Sequence, residues 1–313
     1  MPLGLAAFSQ VPMLNPYLQL LRLRTLPLAV TAMLCASALA YHHHHASAGV
    51  LFWSLLTAVC LQIVSNIAND YGDGLRGTDS QRDAHAPPRV TASGRLSVRS
   101  VRLCLYGACL AAMASGLWLL LGVAQLSMVD LIGLLLLGAL SIAAALAYTL
   151  GRYAYGYRAL GEVAVLVFFG WLAVIGSFYL HAGQWHPALL WPATGCGLLA
   201  AAVLHTNNQR DLFSDRVAGK RTLAGLCGFQ GSKWLQLGGL LAGLACYLVY
   251  AIHYAYAALV CVLVLPILLR HLHRLWLART PAEVGRELPV VVGLHSATNI
   301  LFAVGLVLTR WWA

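Results

Sequence analysis

The chain has 313 residues, 60% of them hydrophobic and only 10% charged, against about 25% charged in soluble globular domains. That composition excludes a water-soluble fold and describes an all-α, polytopic membrane protein. The net charge of +10 would suit a nucleic acid, but the basic residues alternate in position with apolar runs, which is a signal of membrane topology instead.

Met1 to Gln19 has neither a basic n-region nor a small-residue cleavage site, so the first apolar segment is expected to be retained. A bilayer crossing needs about 20 mainly apolar residues. By that rule nine helical spans are predicted, over 26–41, 50–69, 101–123, 131–150, 163–180, 188–207, 235–252, 255–269 and 288–308, the first and eighth being short. Arg22 and Arg24 precede span one, and Arg76, Arg82, Arg89, Arg95, Arg99 and Arg102 follow span two. Arg152 and Arg158 follow span four; Arg210, Arg216, Lys220, Arg221 and Lys233 follow span six; Arg270, Arg274, Arg279 and Arg286 follow span eight. Nineteen of the 20 basic residues therefore share one side, and only Arg310 lies elsewhere. The positive-inside rule makes that side cytoplasmic, with the N-terminus on it. The opposite loops, Tyr41 to Gly49, Ala124 to Asp130, His181 to Pro187 and His253-Tyr254, are short and hold no Lys or Arg.

Five of the ten acidic residues fall in two stretches, Asn66 to Asp79 and Asn207 to Asp215, at the ends of spans two and six on the basic side. Each is followed by a basic loop containing Gly and Thr, which hints at an internal duplication. Asn207, Asp211 and Asp215 are spaced i, i+4, i+8 and share one face of a continuing helix. Like charges at that spacing repel unless a cation joins them. Mg²⁺ fits, because it takes oxygen ligands and is commonly held by one or two carboxylates plus substrate phosphates. The first stretch offers two faces, Asn66/Asp70/Asp73 and Asn69/Asp73, and Gly72 and Gly74 leave the helical register there open. Arg22, Arg76, Arg152, Arg210, Lys220 and Arg221 lie on the same side, and a rim of mixed charge suits a diphosphate bound through Mg²⁺ and basic groups together. A cavity among the apolar helices, opening to the cytoplasmic side, would hold an isoprenoid tail.

Asn69-Asp70-Tyr71-Gly72-Asp73 and Asn207-Asn208-Gln209-Arg210-Asp211-Leu212-Phe213-Ser214-Asp215 resemble the two aspartate-rich motifs of the UbiA-type intramembrane prenyltransferases. Arg24 to Ala29, Tyr155 to Glu162, Val167 to Trp171 and Gly219 to Leu223 extend the resemblance over nearly the whole chain, as one domain spanning 1–313. More narrowly, the chain resembles the subgroup that prenylates 1,4-dihydroxy-2-naphthoate in menaquinone biosynthesis. The broad family spacing is Asn-x₃-Asp-x₃-Asp; the second motif matches it, whereas the first runs Asn69, Asp73 and then Gly77, with Asp79 or Asp70 left to take the third place.

The resemblance implies Mg²⁺, with Mn²⁺ as a substitute, held by Asp70, Asp73, Asp79, Asp211 and Asp215, of which Asp70, Asp73, Asp211 and Asp215 are the expected catalytic residues. Asn66, Asn69, Asn207, Asn208, Lys220, Arg22, Arg152 and Tyr157 are expected to bind substrate. The implied reaction ionises a polyprenyl diphosphate, the ring carbon bearing the carboxylate attacks the allylic cation, and carbon dioxide leaves. 4-Hydroxybenzoate or homogentisate are the alternative acceptors. The expected setting is a bacterial cytoplasmic membrane, with membrane lipid but no nucleic acid and no obligate protein partner. Tyr71, Tyr153, Tyr155, Tyr157, Phe168 and Phe169 are candidates to face the cation, although each taken singly suits an interfacial aromatic belt better.

The remaining features are weighed against structural roles. The eight cysteines show no CxxC spacing and are expected to be packing residues. His42 to His45 is expected to be a solvated loop rather than a metal site; His205 and His295 are expected to be either functional-site residues or hydrogen-bonded structural ones, and Glu162 to touch substrate, cap its helix or pair with Arg158. A CDP-alcohol phosphotransferase is disfavoured because the Ala-Arg pair of its motif is missing after Asp70-x₂-Asp73-Gly74. A transporter is disfavoured because its site would lie near the bilayer midplane rather than at helix ends.

Overall fold

The computed structural model describes residues 15–77 and 90–312. Among them nine helical segments are long and apolar enough to cross a membrane. They are α1 (Pro16–His42), α2 (Ala48–Leu75), α3 (Val98–Val123), α4 (Met128–Ala147), α5 (Gly161–Ala182), α6 (Pro187–Arg210), α7 (Leu223–Tyr254), α8 (Tyr256–Leu277) and α9 (Pro281–Trp311). Apart from one isolated bridge between Arg158 and Arg221, the regular structure among the described residues is helical. The chain is a multi-pass membrane protein.

Each of the nine predicted spans coincides with one of these helices, seven of them lying wholly inside it; the fourth overruns α4 by three residues and the eighth starts one residue before α8. α1 starts ten residues earlier than expected and is broken at Arg22, whose φ of 48° is left-handed. The broken turn is held from outside: Asn66 Nδ2 donates to the Leu21 carbonyl (2.9 Å) and to Thr25 Oγ1 (3.0 Å). The helix restarts at Leu26, where Pro27 sits in a first turn that needs no N–H. α8 opens as a 3₁₀ stretch, Tyr256–Val264, and continues to Leu277 with Leu268, His271, Leu272 and Leu275 buried and Arg270 turned outward. Its polar outer stripe fell below the apolar threshold that ended the sequence-based span at 269.

Small residues let the central helices approach closely. A Cβ on Gly195 of α6 would lie 2.8 Å from the Gly243 carbonyl of α7, and one on Gly197 would lie 2.7 Å from the Leu166 carbonyl of α5. Gly195→Val is therefore expected to overpack this contact and cost about 1–3 kcal/mol, read as a lower thermal midpoint in detergent. Some polar groups inside the bundle tie helices together. Tyr247 OH donates to Asn299 Oδ1 (2.6 Å), and Asn299 Nδ2 donates to the His295 carbonyl (2.9 Å), tying α7 to α9. All eight cysteines are free.

The loops gather at two ends. At one end Arg76 Nη2, just past α2, donates to the Gly151 carbonyl of the α4–α5 connection (2.5 Å), Arg221 N of the α6–α7 connection donates to the Tyr157 carbonyl (3.3 Å), and Gly285 of α9 packs against Arg210 at the end of α6. At the other, Arg310 Nη1 donates to the Tyr41 carbonyl (2.6 Å), His181 bonds Ser37 and Ser47, and Tyr179 OH donates to Asp130 (2.7 Å). The histidine run at that end differs from the expected solvated loop. His42 closes α1, and His43 wedges inward, bonding Tyr250 OH (3.0 Å) and meeting Phe178 edge-on. Burial, with the charges of His42 and His186 next in weight, pushes His43 down to about 4.

Candidate active site

α2 carries the first motif on its last two turns, and helical geometry divides it into two faces. One face is tied to the scaffold. Asn66 holds the α1 break, and Asp70, 2% exposed, accepts from Thr91 N (2.9 Å), Thr91 Oγ1 (2.5 Å) and Val90 N (3.3 Å). The other face looks across the bundle end. Asp73 Oδ1 accepts from Tyr157 OH (2.8 Å), and one turn earlier Asn69 Oδ1 is buried without a hydrogen-bond partner. Gly72 and Gly74 do not break the helix, which continues to Leu75. They make room for neighbours: a Cβ on either would lie 2.6 Å from a side-chain atom of Thr149 or Thr91 respectively. Asp79 lies outside the described residues.

The second motif keeps its face through a turn. α6 ends at Arg210 and a short helix, Leu212–Val217, follows, but Asp211 N bonds the Asn207 carbonyl (3.1 Å) and Asp215 N the Asp211 carbonyl (2.8 Å). Arg210 grips Asp211 through Nε (2.7 Å) and Nη2 (2.6 Å) and also reaches Asn207 Oδ1 (2.6 Å). Asp215 Oδ1 is 3.5 Å from Lys220 Nζ, while Asp215 Oδ2 is buried with no hydrogen-bond partner.

Two loops join the motifs. Ala159 N donates to the Arg221 carbonyl (2.8 Å) and Arg221 N to the Tyr157 carbonyl (3.3 Å), so the α4–α5 and α6–α7 connections pair as a short parallel strap. The strap sets the Tyr157 ring against the Arg76 guanidinium (4.4 Å to the centroid) and the Lys220 ammonium (5.7 Å) while its hydroxyl reaches Asp73. Asp73, Tyr157, Lys220 and Asp215 thus form one chain of contacts across the bundle end. Arg152 is not brought into it; it is exposed over Tyr153 (5.8 Å). Arg22 sits at the α1 break, its carbonyl accepting from Thr25 Oγ1 (3.0 Å).

Glu162 and His205 carried only weak signals in the sequence, a lone acid and a lone histidine in apolar runs, yet they meet here. Glu162 Oε1 accepts from Asn208 Nδ2 (3.1 Å) and lies 3.0 Å from His205 Nδ1, so Glu162 pairs with His205 rather than Arg158. Tyr148 packs beside Gly156 and Gly161. Burial pushes its phenol up, with Glu162 and Asp73 and, after Tyr155, Asp215 adding to the shift.

Burial pulls the Lys220 ammonium down, but Asp215, Asp73 and Asp211 outweigh it and hold the group above its usual range. Asp215 is pushed up to about 6, chiefly by burial, with Lys220 opposing and Asp211 and Asp73 adding. Its folded value lies above the usual 3.8, so the proton's contribution to stability is complete below that value and is lost as pH rises through about 6. A cation at this carboxylate competes with the same proton. Mg²⁺ is therefore expected to raise the thermal midpoint more at pH 7 than at pH 5, and Asp215→Asn to shrink that difference.

No group of three or more His, Cys, Asp or Glu among the described residues is gathered to hold an ion unaided. The donor chemistry fits a hard cation completed by phosphate oxygens: Asp215 Oδ2 and Asn69 Oδ1 are buried oxygen acceptors without partners, Lys220 lies 3.5 Å from Asp215 Oδ1, and Arg76 stacks with Lys220 on the Tyr157 ring.

A sequence model described as the UbiA prenyltransferase family matches residues 28–288. The chain belongs to that family. This UbiA family member is 39% identical over 308 residues to the 1,4-dihydroxy-2-naphthoate octaprenyltransferase of Escherichia coli (strain K12), covering 97% of this chain and 99% of that one. Its fold matches a UbiA homolog from Aeropyrum pernix K1 with a TM-score of 0.64 at 18% identity, over 90% of this chain and 98% of that one. It also matches a UbiA homolog from Archaeoglobus fulgidus bound to GPP and Mg²⁺, with a TM-score of 0.59 at 17% identity, over 93% and 100%.

Proposed function

We propose that this UbiA family member transfers a polyprenyl group from polyprenyl diphosphate to 1,4-dihydroxy-2-naphthoate with loss of carbon dioxide, a step of menaquinone biosynthesis. The observation that carries the acceptor is the end-to-end similarity to the Escherichia coli relative of that activity. The chemistry is supported by the line of contacts from Asp73 through Tyr157 and Lys220 to Asp215.

In this reading Asp73, Asp211 and Asp215 would hold Mg²⁺, for which Mn²⁺ can substitute. With a cation held there, the diphosphate would be neutralised and would leave more readily. Lys220 and Arg76 meet the charge that grows on the leaving oxygens, at positions fixed before substrate arrives. Tyr157 is held by its hydroxyl so that its ring stays between the two motifs. Asp70 and Asn66 act indirectly, by fixing the Val90-Thr91 loop and the α1 break. The partition of basic residues supports a setting in which this end and the N-terminus face the cytoplasm from a bacterial inner membrane, with the isoprenoid chain lying among the helices.

The test is prenyl transfer in detergent with Mg²⁺ and a polyprenyl diphosphate, offering 1,4-dihydroxy-2-naphthoate or 4-hydroxybenzoate. Naphthoate-specific product that disappears with EDTA and with Asp211→Asn is the expected result. Product from 4-hydroxybenzoate alone would overturn the acceptor, and no diphosphate release with any acceptor would overturn the reaction.

A further inference from the structure

We propose that Glu162 takes the hydroxyl proton of the aromatic acceptor as the ring attacks, with His205 and Asn208 positioning it; this rests on the prenyl-transfer reading above. Glu162 opens α5 directly after the strap, and its residue surface is 8% exposed. Hydrogen-bond accounting fixes what its two oxygens can do. His205 Nε2 lies 3.0 Å from the Ser232 carbonyl, which only accepts, so Nε2 carries a hydrogen. The 3.0 Å contact of His205 Nδ1 with Glu162 Oε1 then needs one more proton between them, on either atom. Asn208 Nδ2 donates to the same oxygen (3.1 Å). One side of the carboxyl is thereby saturated, and Oε2 remains buried with no hydrogen-bond partner.

An unpartnered buried carboxylate oxygen is costly, and a purely structural ion pair would have covered it. Arg158, four residues earlier, stacks instead on Tyr153 (5.0 Å). The location suits the acceptor rather than the diphosphate. His205 lies on α6 six residues before Asp211, about 9 Å deeper along the helix. Asn208 nevertheless precedes Asp211 by only three residues, and Glu162 follows Tyr157 of the strap by five.

The step balances without a further reactant. The acceptor O–H breaks and its proton passes to Oε2, while the oxygen's electrons enter the ring. The ring carbon bearing the carboxylate bonds to the prenyl C1, and the C1–O bond breaks with its electron pair leaving on diphosphate. The ring–carboxylate bond then breaks, carbon dioxide departs, the ring regains its aromatic electrons as a phenolate, and Glu162 returns the proton.

The experiment compares wild type, Glu162→Gln and Glu162→Asp, full length in detergent with Mg²⁺, on a series of hydroxynaphthoates whose ring substituents lower the hydroxyl pKa. For Glu162→Gln we expect kcat to fall about 100-fold on the parent acceptor, with KM for polyprenyl diphosphate unchanged and the deficit shrinking at least tenfold, by rough estimate, on the most acidic acceptor. A purely structural role would lower kcat equally across the series. That result, or a kcat within about threefold of wild type against the expected 100-fold, overturns the proposal. If Glu162→Gln fails to fold, Glu162→Asp must show the same dependence on acceptor acidity, and a flat response sinks the idea. Wild type that prenylates a different hydroxyarene replaces the acceptor of the proposed function, and the same criteria then apply to Glu162 on that acceptor; wild type that prenylates none ends both.

Discussion

Asp73→Asn is expected to lower kcat by about 10³-fold while leaving the fold intact. The asparagine keeps an oxygen for the Tyr157 hydroxyl, so the 2.8 Å hydrogen bond and the position of the ring survive. What disappears is a buried negative charge, 5% exposed, facing Lys220 and Asp215. Loss of that charge weakens the hold on a divalent cation and so on the diphosphate. Asp70→Asn, three residues away, is expected to behave in the opposite way. Its carboxylate accepts three hydrogen bonds from Val90 and Thr91, and bonds to a charged acceptor are worth about 1.5–3 kcal/mol each. The thermal midpoint should fall, with a smaller effect on kcat. Melting curves and steady-state kinetics on the two variants settle which face of α2 carries the chemistry: equal kinetic losses would refute the division made here.

Lys220→Met is expected to reduce transfer by about 10²–10³-fold and to destabilise the protein by about 3 kcal/mol. The side chains of Lys220 and Asp215 are only 9% and 6% exposed, so removing the ammonium leaves Asp215 buried beside Asp73 and Asp211 without its cation. Breaking one partner of a buried pair costs more than replacing both. The double variant Asp215→Asn/Lys220→Met should therefore regain most of the lost stability and none of the activity. Recovery of transfer in the double variant would mean that neither charge serves the reaction. No recovery of the thermal midpoint would mean that the pair is not energetically coupled.

The second motif was legible in the sequence because its spacing survives folding. Asn207, Asp211 and Asp215 are linked by successive backbone bonds four residues apart, even though the helix turns at Asp211. The first motif was not, because two faces of one helix both carry Asn and Asp. Only the neighbours distinguish them: Leu21 and Thr25 claim Asn66, Val90 and Thr91 claim Asp70, and Tyr157 claims Asp73. Arg152 and Arg76 looked equivalent as basic loop residues, yet one lies outward on Tyr153 and the other on Tyr157.

The sequence by itself determined the membrane architecture and the chemistry class. Both are one-dimensional properties: apolar runs of bilayer length, charge that follows loop parity, and carboxylates at helical spacing. Tertiary structure alone decided which acids face one another, because that depends on a backbone strap joining Tyr157 and Arg221, 64 positions apart in the chain. It also decided the partner of Glu162. A lone carboxylate at the start of an apolar helix has no periodicity to interpret, and its meaning came from a histidine on α6 that only packing brings within 3.0 Å.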